Sequence, residues 1–364
     1  MKRYSGKERR VVTEGYGIIQ PRIGTGLIDK RKNRFTTIYS EEGGVDSYAN
    51  AISDVYQDNF GEGIFTGKGI YDLQIFHEVM CKEIPENTVL SHDLLEGSYL
   101  RCALATDILL LDSSPTKYIS HSNRMSRWIR GDWQIARWLG RKSPLGRLSK
   151  FKILDNLRKS LVPIFATILT FISVSFLLGL NYNAGRFDLR SFKFQTLLLG
   201  ISLVAISAPF ILDILNIIIF KKEEGSAVIS ARKNITQTMS GIKASLTRAC
   251  LDIVFLPTKM MISLIAITKS VYRMLVSKKK LLEWMTSEEA ERQSKEVLSS
   301  HFRFMWPNII LGTILLFISG RLFVKLVNYS VPGVFLGVWS RSTIFYLTEF
   351  RSLVADCSSV CMAY

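Results

Sequence analysis

Twenty consecutive residues, Leu161 to Leu180, carry no charge, and this run limits the chain more than any other feature. At ~1.5 Å per helical residue it reaches across a hydrocarbon core of ~30 Å. A backbone in lipid must satisfy its own hydrogen bonds, so the run predicts a spanning helix. A second apolar run, Thr196 to Phe220, contains Pro209 and Asp213, both tolerable against neighbouring helices or a polar cavity. Trp306 to about Leu326 and Val331 to Leu347 give two further expected spans. Arg321 and Lys325 can snorkel from the third, and Arg341 interrupts the fourth. The stretch Cys250 to Tyr272 is broken by Asp252, Pro257, Lys259 and Lys269 and reads as interfacial. The basic residues agree, because Arg232, Lys233, Lys243 and Arg248 precede it while Arg273 and Lys278 to Lys280 follow, and crossing would put one cluster outside. Four spans then leave both ends in the cytosol.

Hydrophobic residues make up 48% of the 364, more than one soluble core needs, and they concentrate after residue 160. The expected division is a cytosolic domain over 1–150 and a membrane region over 151–364. The first residues, MKRYSGKERR, lead into no apolar stretch, so no cleavable signal is expected. A formal charge of +16 suits anionic lipid, a nucleotide sugar or nucleic acid, and the spans make lipid the default partner. Five scattered cysteines show no zinc-ligand spacing and read as reduced thiols.

Residues 15 to 150 alternate short β-like runs, turns and amphipathic stretches, which predicts an α/β domain with a ligand crevice at strand ends. Three motifs stand out within it. FGEGIFTGKGIYD, Phe60 to Asp72, has glycines that let backbone approach a ligand and Lys68 as a phosphate or hydroxyl partner. It is not a Walker loop, since five residues separate Gly61 from Gly67 and Gly69 follows Lys68; a Gly-rich connection without a ligand is the alternative. In TVLSHDLLEG, Ser91-His92-Asp93 follows an expected strand. Asp93 could take a proton from a sugar hydroxyl, or it could cap a helix starting at Leu94. In NRMSRWIRGDWQIARW, Arg124, Arg127 and Trp128 share one helical face and Asp132 follows a turn later. Arginines pair with a diphosphate and tryptophan stacks on a pyranose, but a basic amphipathic helix on anionic lipid uses the same residues.

In this order the motifs resemble those of processive inverting glycosyltransferases such as cellulose and hyaluronan synthases. There an aromatic-and-Gly acceptor motif precedes Thr-Glu-Asp, then Gln-x-x-Arg-Trp on an interfacial helix. The wording GYGIIQPR, SDVYQDNFGEGIFTGKGIYD, PENTVLSHDLLEG and RWIRGDWQ, with IVFLP and LLEW farther on, is similar to the cyclic β-1,2-glucan synthase family over roughly Tyr16 to Val338. The resemblance implies a GT-A-like domain, ahead of transmembrane helices in a bacterial inner membrane. It implies transfer of glucose from UDP-glucose to the 2-hydroxyl of a growing β-1,2-glucan with inversion. Asp93 is then the base. Phe65, Thr66, Gly67, Lys68, Gly69 and Tyr71 line the acceptor end beside His92, while Arg124, Arg127, Trp128, Asp132 and Trp133 hold diphosphate and sugar. Arg124 stands in place of Gln and His92 in place of Glu in the wider pattern.

The family's donor half, with the Asp-x-Asp that holds Mg²⁺ or Mn²⁺, belongs upstream of GYGIIQPR, where only Met1 to Glu14 stand. The expectation is therefore the acceptor-side half of the domain, truncated at both ends, with a donor half on a separate chain and no metal ligands of its own. A non-catalytic remnant or scaffold of a split synthase is the alternative. Nucleic acid is not an expected partner, because charge alone does not explain the motif order. After about Trp339 the sequence departs from the family, as a shifted frame or truncated gene would make it.

Overall fold

A computed structural model of the chain describes residues 3–6, 9–26, 34–39, 55–81, 83–112, 115–141, 143–183, 189–220, 243, 245–283, 289 and 302–314. It is mixed α/β, with small sheets and mostly helix. The chain forms two units, Met1–Val162 with Met261–Ser294, and Pro163–Met260 with Lys295–Tyr364.

In the first unit, strands β1 (Arg3–Gly6) and β2 (Arg9–Val12) pair antiparallel. A second sheet has β3 (Ile18–Thr25) at its centre. The short β4 (Ile70–Tyr71) pairs antiparallel on one side and β5 (Cys102–Asp112) parallel on the other. The register of β3 against β5 jumps between Pro21 and Arg22. Proline has no N–H to give the ladder, so a bulge is the expected solution at that residue.

The parallel pair needs a crossover. It is made by α1 (Arg34–Tyr39), α2 (Val55–Phe60), α3 (Leu73–Met80) and α4 (Asp93–Leu100). Asp72 starts α3 by accepting a hydrogen bond from the Ile75 N–H at 3.1 Å, a side-chain cap for an otherwise orphaned donor. The face Ile75, Val79 and Met80 then turns inward. It joins Ile18, Leu95, Tyr99, Leu100 and Cys102 in the core, which α5 (Tyr118–Ile135) closes with Ile135. The buried Tyr99 hydroxyl accepts from Trp138 Nε1 at 3.1 Å and donates to Glu83 at 3.0 Å, so its polar atom costs little where it lies. Residues 88–92 form no strand, unlike the expectation from TVLSHD. The Leu90 N–H donates instead to the side chain of Gln134 at 2.6 Å, and this bond replaces a sheet ladder.

Three long helices follow, α6 (Arg147–Asn183), α7 (Leu189–Phe220) and α8 (Leu256–Tyr272). The expected spans 161–180 and 196–220 fall inside α6 and α7. Among the described residues, two segments are long and apolar enough to cross a membrane, Arg147–Val174 and Leu256–Ser277. The latter overlaps the stretch expected to lie at the interface. Two of the charges that break its apolar run, Asp252 and Lys259, pair with each other at 2.6 Å. Of the third expected span only the part up to residue 314 is described; the fourth, and the residues after Trp339, lie outside the described residues.

Candidate functional site

Asp93 is the first residue of α4, and His92 takes the N-cap position without a side-chain capping bond. The capping role that the sequence left open for Asp93 is thus not the one it has. Its carboxylate accepts instead from Ser91 Oγ, a long contact at 3.4 Å. Three groups of chain converge on it. The Gly67 turn lies so close that a Cβ there would come within 2.9 Å of Asp93 Oδ1, and its φ of +89° is one that side-chain-bearing residues rarely adopt. Arg127 approaches from α5, near enough for each charge to favour the ionised form of the other. His92 stands beside it on the same helix.

The approach of α5 depends on Gly131, because a Cβ there would fall 2.7 Å from Ser91 Cβ. Gln134, three residues on, is buried and bonded twice: its Oε1 accepts from Leu90 N–H at 2.6 Å and its Nε2 donates to the Leu281 carbonyl at 3.1 Å. RWIRGDWQ is thereby tied to the residues just before Asp93 and to the LLEW segment. Arg124 lies over the Trp128 ring at 4.6 Å, a cation–π pair that holds both side chains on one face. Asp132 and Trp133 reach the next helix. Asp132 accepts from Asn156 Nδ2 at 3.1 Å and Trp133 Nε1 donates to Ser160 Oγ at 3.0 Å, so both clasp α6.

The acceptor-motif residues separate in the same way. Phe65 is 2% exposed, beneath the loop, with its ring edge-on to Tyr71. Thr66 is fixed by Gln20, whose Oε1 accepts from both its N–H and its hydroxyl while Nε2 donates to the Ile64 carbonyl at 3.0 Å. Lys68 pairs with Asp112 at the end of β5. At Gly69 a Cβ would meet the Ile19 carbonyl oxygen at 2.6 Å, so the close approach that glycine permits here is to β3. The loop is also anchored below. Lys152 of α6 donates to Glu62 Oε1 and to the Gly63 carbonyl, both at 3.0 Å, and Arg101 approaches Glu62 from the other side.

Behind Asp93 sits Glu96, a residue that the sequence reading did not single out. Its carboxylate accepts from Tyr71 Oη at 2.6 Å and pairs with His92 Nδ1 at 2.7 Å. A carboxylate one helical turn after His92 was the available signal, since residues at i and i+4 share a face. The electrostatics follow from these contacts. Burial pushes the Asp93 carboxyl above the ordinary range, opposed by His92, by the Ser91 bond and by Arg127, and reinforced by Glu96. The bond to Glu96 raises His92. Burial, then the same Glu96, raises the Tyr71 phenol. Burial also pushes Asp132 up to about 7.

One atom each of His92, Asp93 and Glu96 lie within 4.8 Å of one another. They do not fit a Mg²⁺ ion, which takes an octahedral shell of oxygens and keeps several waters. One of the three is an imidazole, and both Glu96 oxygens already hold protein partners at hydrogen-bond distance.

No family model matches the chain. A comparison with curated proteins finds 34% identity over 338 residues, 92% of the chain, to the cyclic beta-(1,2)-glucan synthase NdvB of Rhizobium meliloti (strain 1021). The chain is related to a glucan synthase segment. The match spans 11% of that relative's length. With 92% of the chain aligned, the residues from Gly67 to Arg127 fall inside the match.

Proposed function

We propose that this chain is the acceptor-side part of a membrane glucosyltransferase that extends a β-1,2-glucan from UDP-glucose with inversion. The single observation that carries the reading is the convergence of the Gly67 turn and Arg127 on Asp93. Asp93 takes the proton of the acceptor hydroxyl as its oxygen bonds to the anomeric carbon and the bond from that carbon to the UDP oxygen breaks. Arg127 favours the ionised carboxylate against the desolvation of the site, and with Arg124 it faces the charge that develops on the departing diphosphate. Trp128, held by Arg124, offers its ring to the acceptor sugar. The loop from Phe65 to Tyr71 shapes the acceptor end, with Gly67 the point of nearest approach. A divalent cation for the diphosphate belongs to a donor half carried by another segment or chain. The domain before α6 is GT-A-like, faces the cytosol and precedes a multi-pass region in a bacterial inner membrane.

Membranes holding the complete synthase, supplied with radiolabelled UDP-glucose, test this. Asp93→Asn is expected to lower incorporation into glucan ~10²–10⁴-fold, the usual contribution of a positioned base. Incorporation within tenfold of wild type would remove Asp93 from the role. The chain purified without a donor half is expected to turn over no UDP-glucose.

A further inference from the structure

We propose that Glu96 is a positioning residue for Asp93, one carboxylate oxygen holding Tyr71 of the acceptor loop and the other holding His92 beside the base. The proposal rests on the reading of Asp93 as base and extends it to a residue outside the substrate site.

Glu96 is only 5% exposed, and carboxylates are seldom so buried without partners. Its two partners come from different parts of the fold. Tyr71 lies in β4, directly after the Gly67–Gly69 turn, with its ring edge-on to Phe65 and Phe76 at centroid distances of 5.6 and 5.2 Å. The ring has little freedom, and its hydroxyl is directed at Glu96. His92 lies one helical turn before Glu96 with half of its side chain exposed. Glu96 therefore couples the loop that covers Asp93 to the imidazole that neighbours it.

Among the described residues, the charged and titratable groups facing Asp93 are His92 at the N-cap and Glu96 on its own helix, Tyr71 from β4 and Arg127 from α5. Glu96 repels the Asp93 charge, but its bond also favours the charged imidazole, which acts on Asp93 in the opposite sense. The two functions are separable by substitution. Glutamine still accepts the Tyr71 hydroxyl but removes the charge that favours imidazolium. Alanine removes both.

The test uses the complete synthase in membranes for kinetics and the purified chain with ¹³C-labelled histidine for titration, His92→Gln assigning one of the four histidine signals. Glu96→Gln is expected to lower the pH at which His92 titrates and to cut kcat about tenfold, with the acceptor KM unchanged. Glu96→Ala is expected to raise the acceptor KM as well. If the alanine variant fails to fold, the isosteric glutamine variant still decides. Unchanged His92 titration in Glu96→Gln overturns the proposal, as does Mn²⁺ binding by the wild-type chain that Glu96→Gln abolishes, which would make the triad a metal site. An inactive Asp93→Asn beside an unaffected Glu96→Gln defeats the positioning role alone. An active Asp93→Asn defeats the base assignment itself.

Discussion

Gly67→Ala separates damage to the base from damage to the fold. With φ at +89°, an alanine there pays ~1–2 kcal/mol in backbone strain. Its Cβ would also stand 2.9 Å from Asp93 Oδ1 and 3.0 Å from Cγ, where ordinary contacts begin at ~3.5 Å. The atoms it meets are the end of a flexible side chain, so the carboxylate yields by about half an ångström and the sheet does not. Misplacing a reacting group by 1 Å can cost ~10²-fold, so a shift of this size predicts a fall in kcat of roughly tenfold or more. Gly69→Ala differs in what it meets, the Ile19 carbonyl oxygen at 2.6 Å in the central strand. Its cost falls on stability, ~1–3 kcal/mol of overpacking. The assay is glucose incorporation by membranes, normalised to folded protein. Gly67→Ala should lose rate per folded molecule, and in an Asp93→Asn background it should lose nothing more, because both changes act through one carboxylate. Gly69→Ala should lose mainly folded protein. Near-wild-type rate per folded Gly67→Ala molecule, or full additivity with Asp93→Asn, would refute the reasoning.

Lys152→Met removes the bonds to Glu62 and the Gly63 carbonyl while Arg101 still approaches Glu62 at 3.5 Å, so it should lower unfolding stability by roughly 1.5–3 kcal/mol, measured by denaturant titration of the solubilised chain. Asp132 has its folded-state pKa raised to about 7, so the folded chain binds the extra proton and stability falls as pH rises from the ordinary carboxylate range through 7. Asp132→Asn should therefore raise the melting temperature at pH 8 and make little difference at pH 4; the opposite pattern would show a carboxylate stabilised by Asn156. Arg127 lowers the Asp93 pKa, so Arg127→Gln should move the acidic limb of the pH–rate profile upward, and an unmoved limb would separate the two residues.

The motifs were legible in the sequence because each is local. Gly67, Asp93 and Arg127 announce themselves by residue type and neighbours, and the structure brings them together. The support beneath them was not legible. Gln20 and Gln134 are single polar residues among apolar neighbours, and their bonds to Thr66, Ile64, Leu90 and Leu281 cross 44 or more residues of chain. No spacing rule encodes such a contact. The same distance explains the strand expected at TVLSHD: its pattern is strand-like, but Leu90 finds its acceptor on α5.

These contacts also divide each motif. Phe65, Thr66, Asp132 and Trp133 lie in the same motifs as Gly67 and Arg127 and are held by Tyr71, Gln20, Asn156 and Ser160. A motif is thus a mixture of surface and scaffold, and only packing sorts the two. Glu96 shows the sorting most directly. In sequence it is an acidic residue in a helix, whereas in the fold its buried carboxylate connects Tyr71 and His92 on either side of Asp93. Glu96→Ala removes the contacts to Tyr71 and His92 together, which substitution at Tyr71 or His92 alone cannot do.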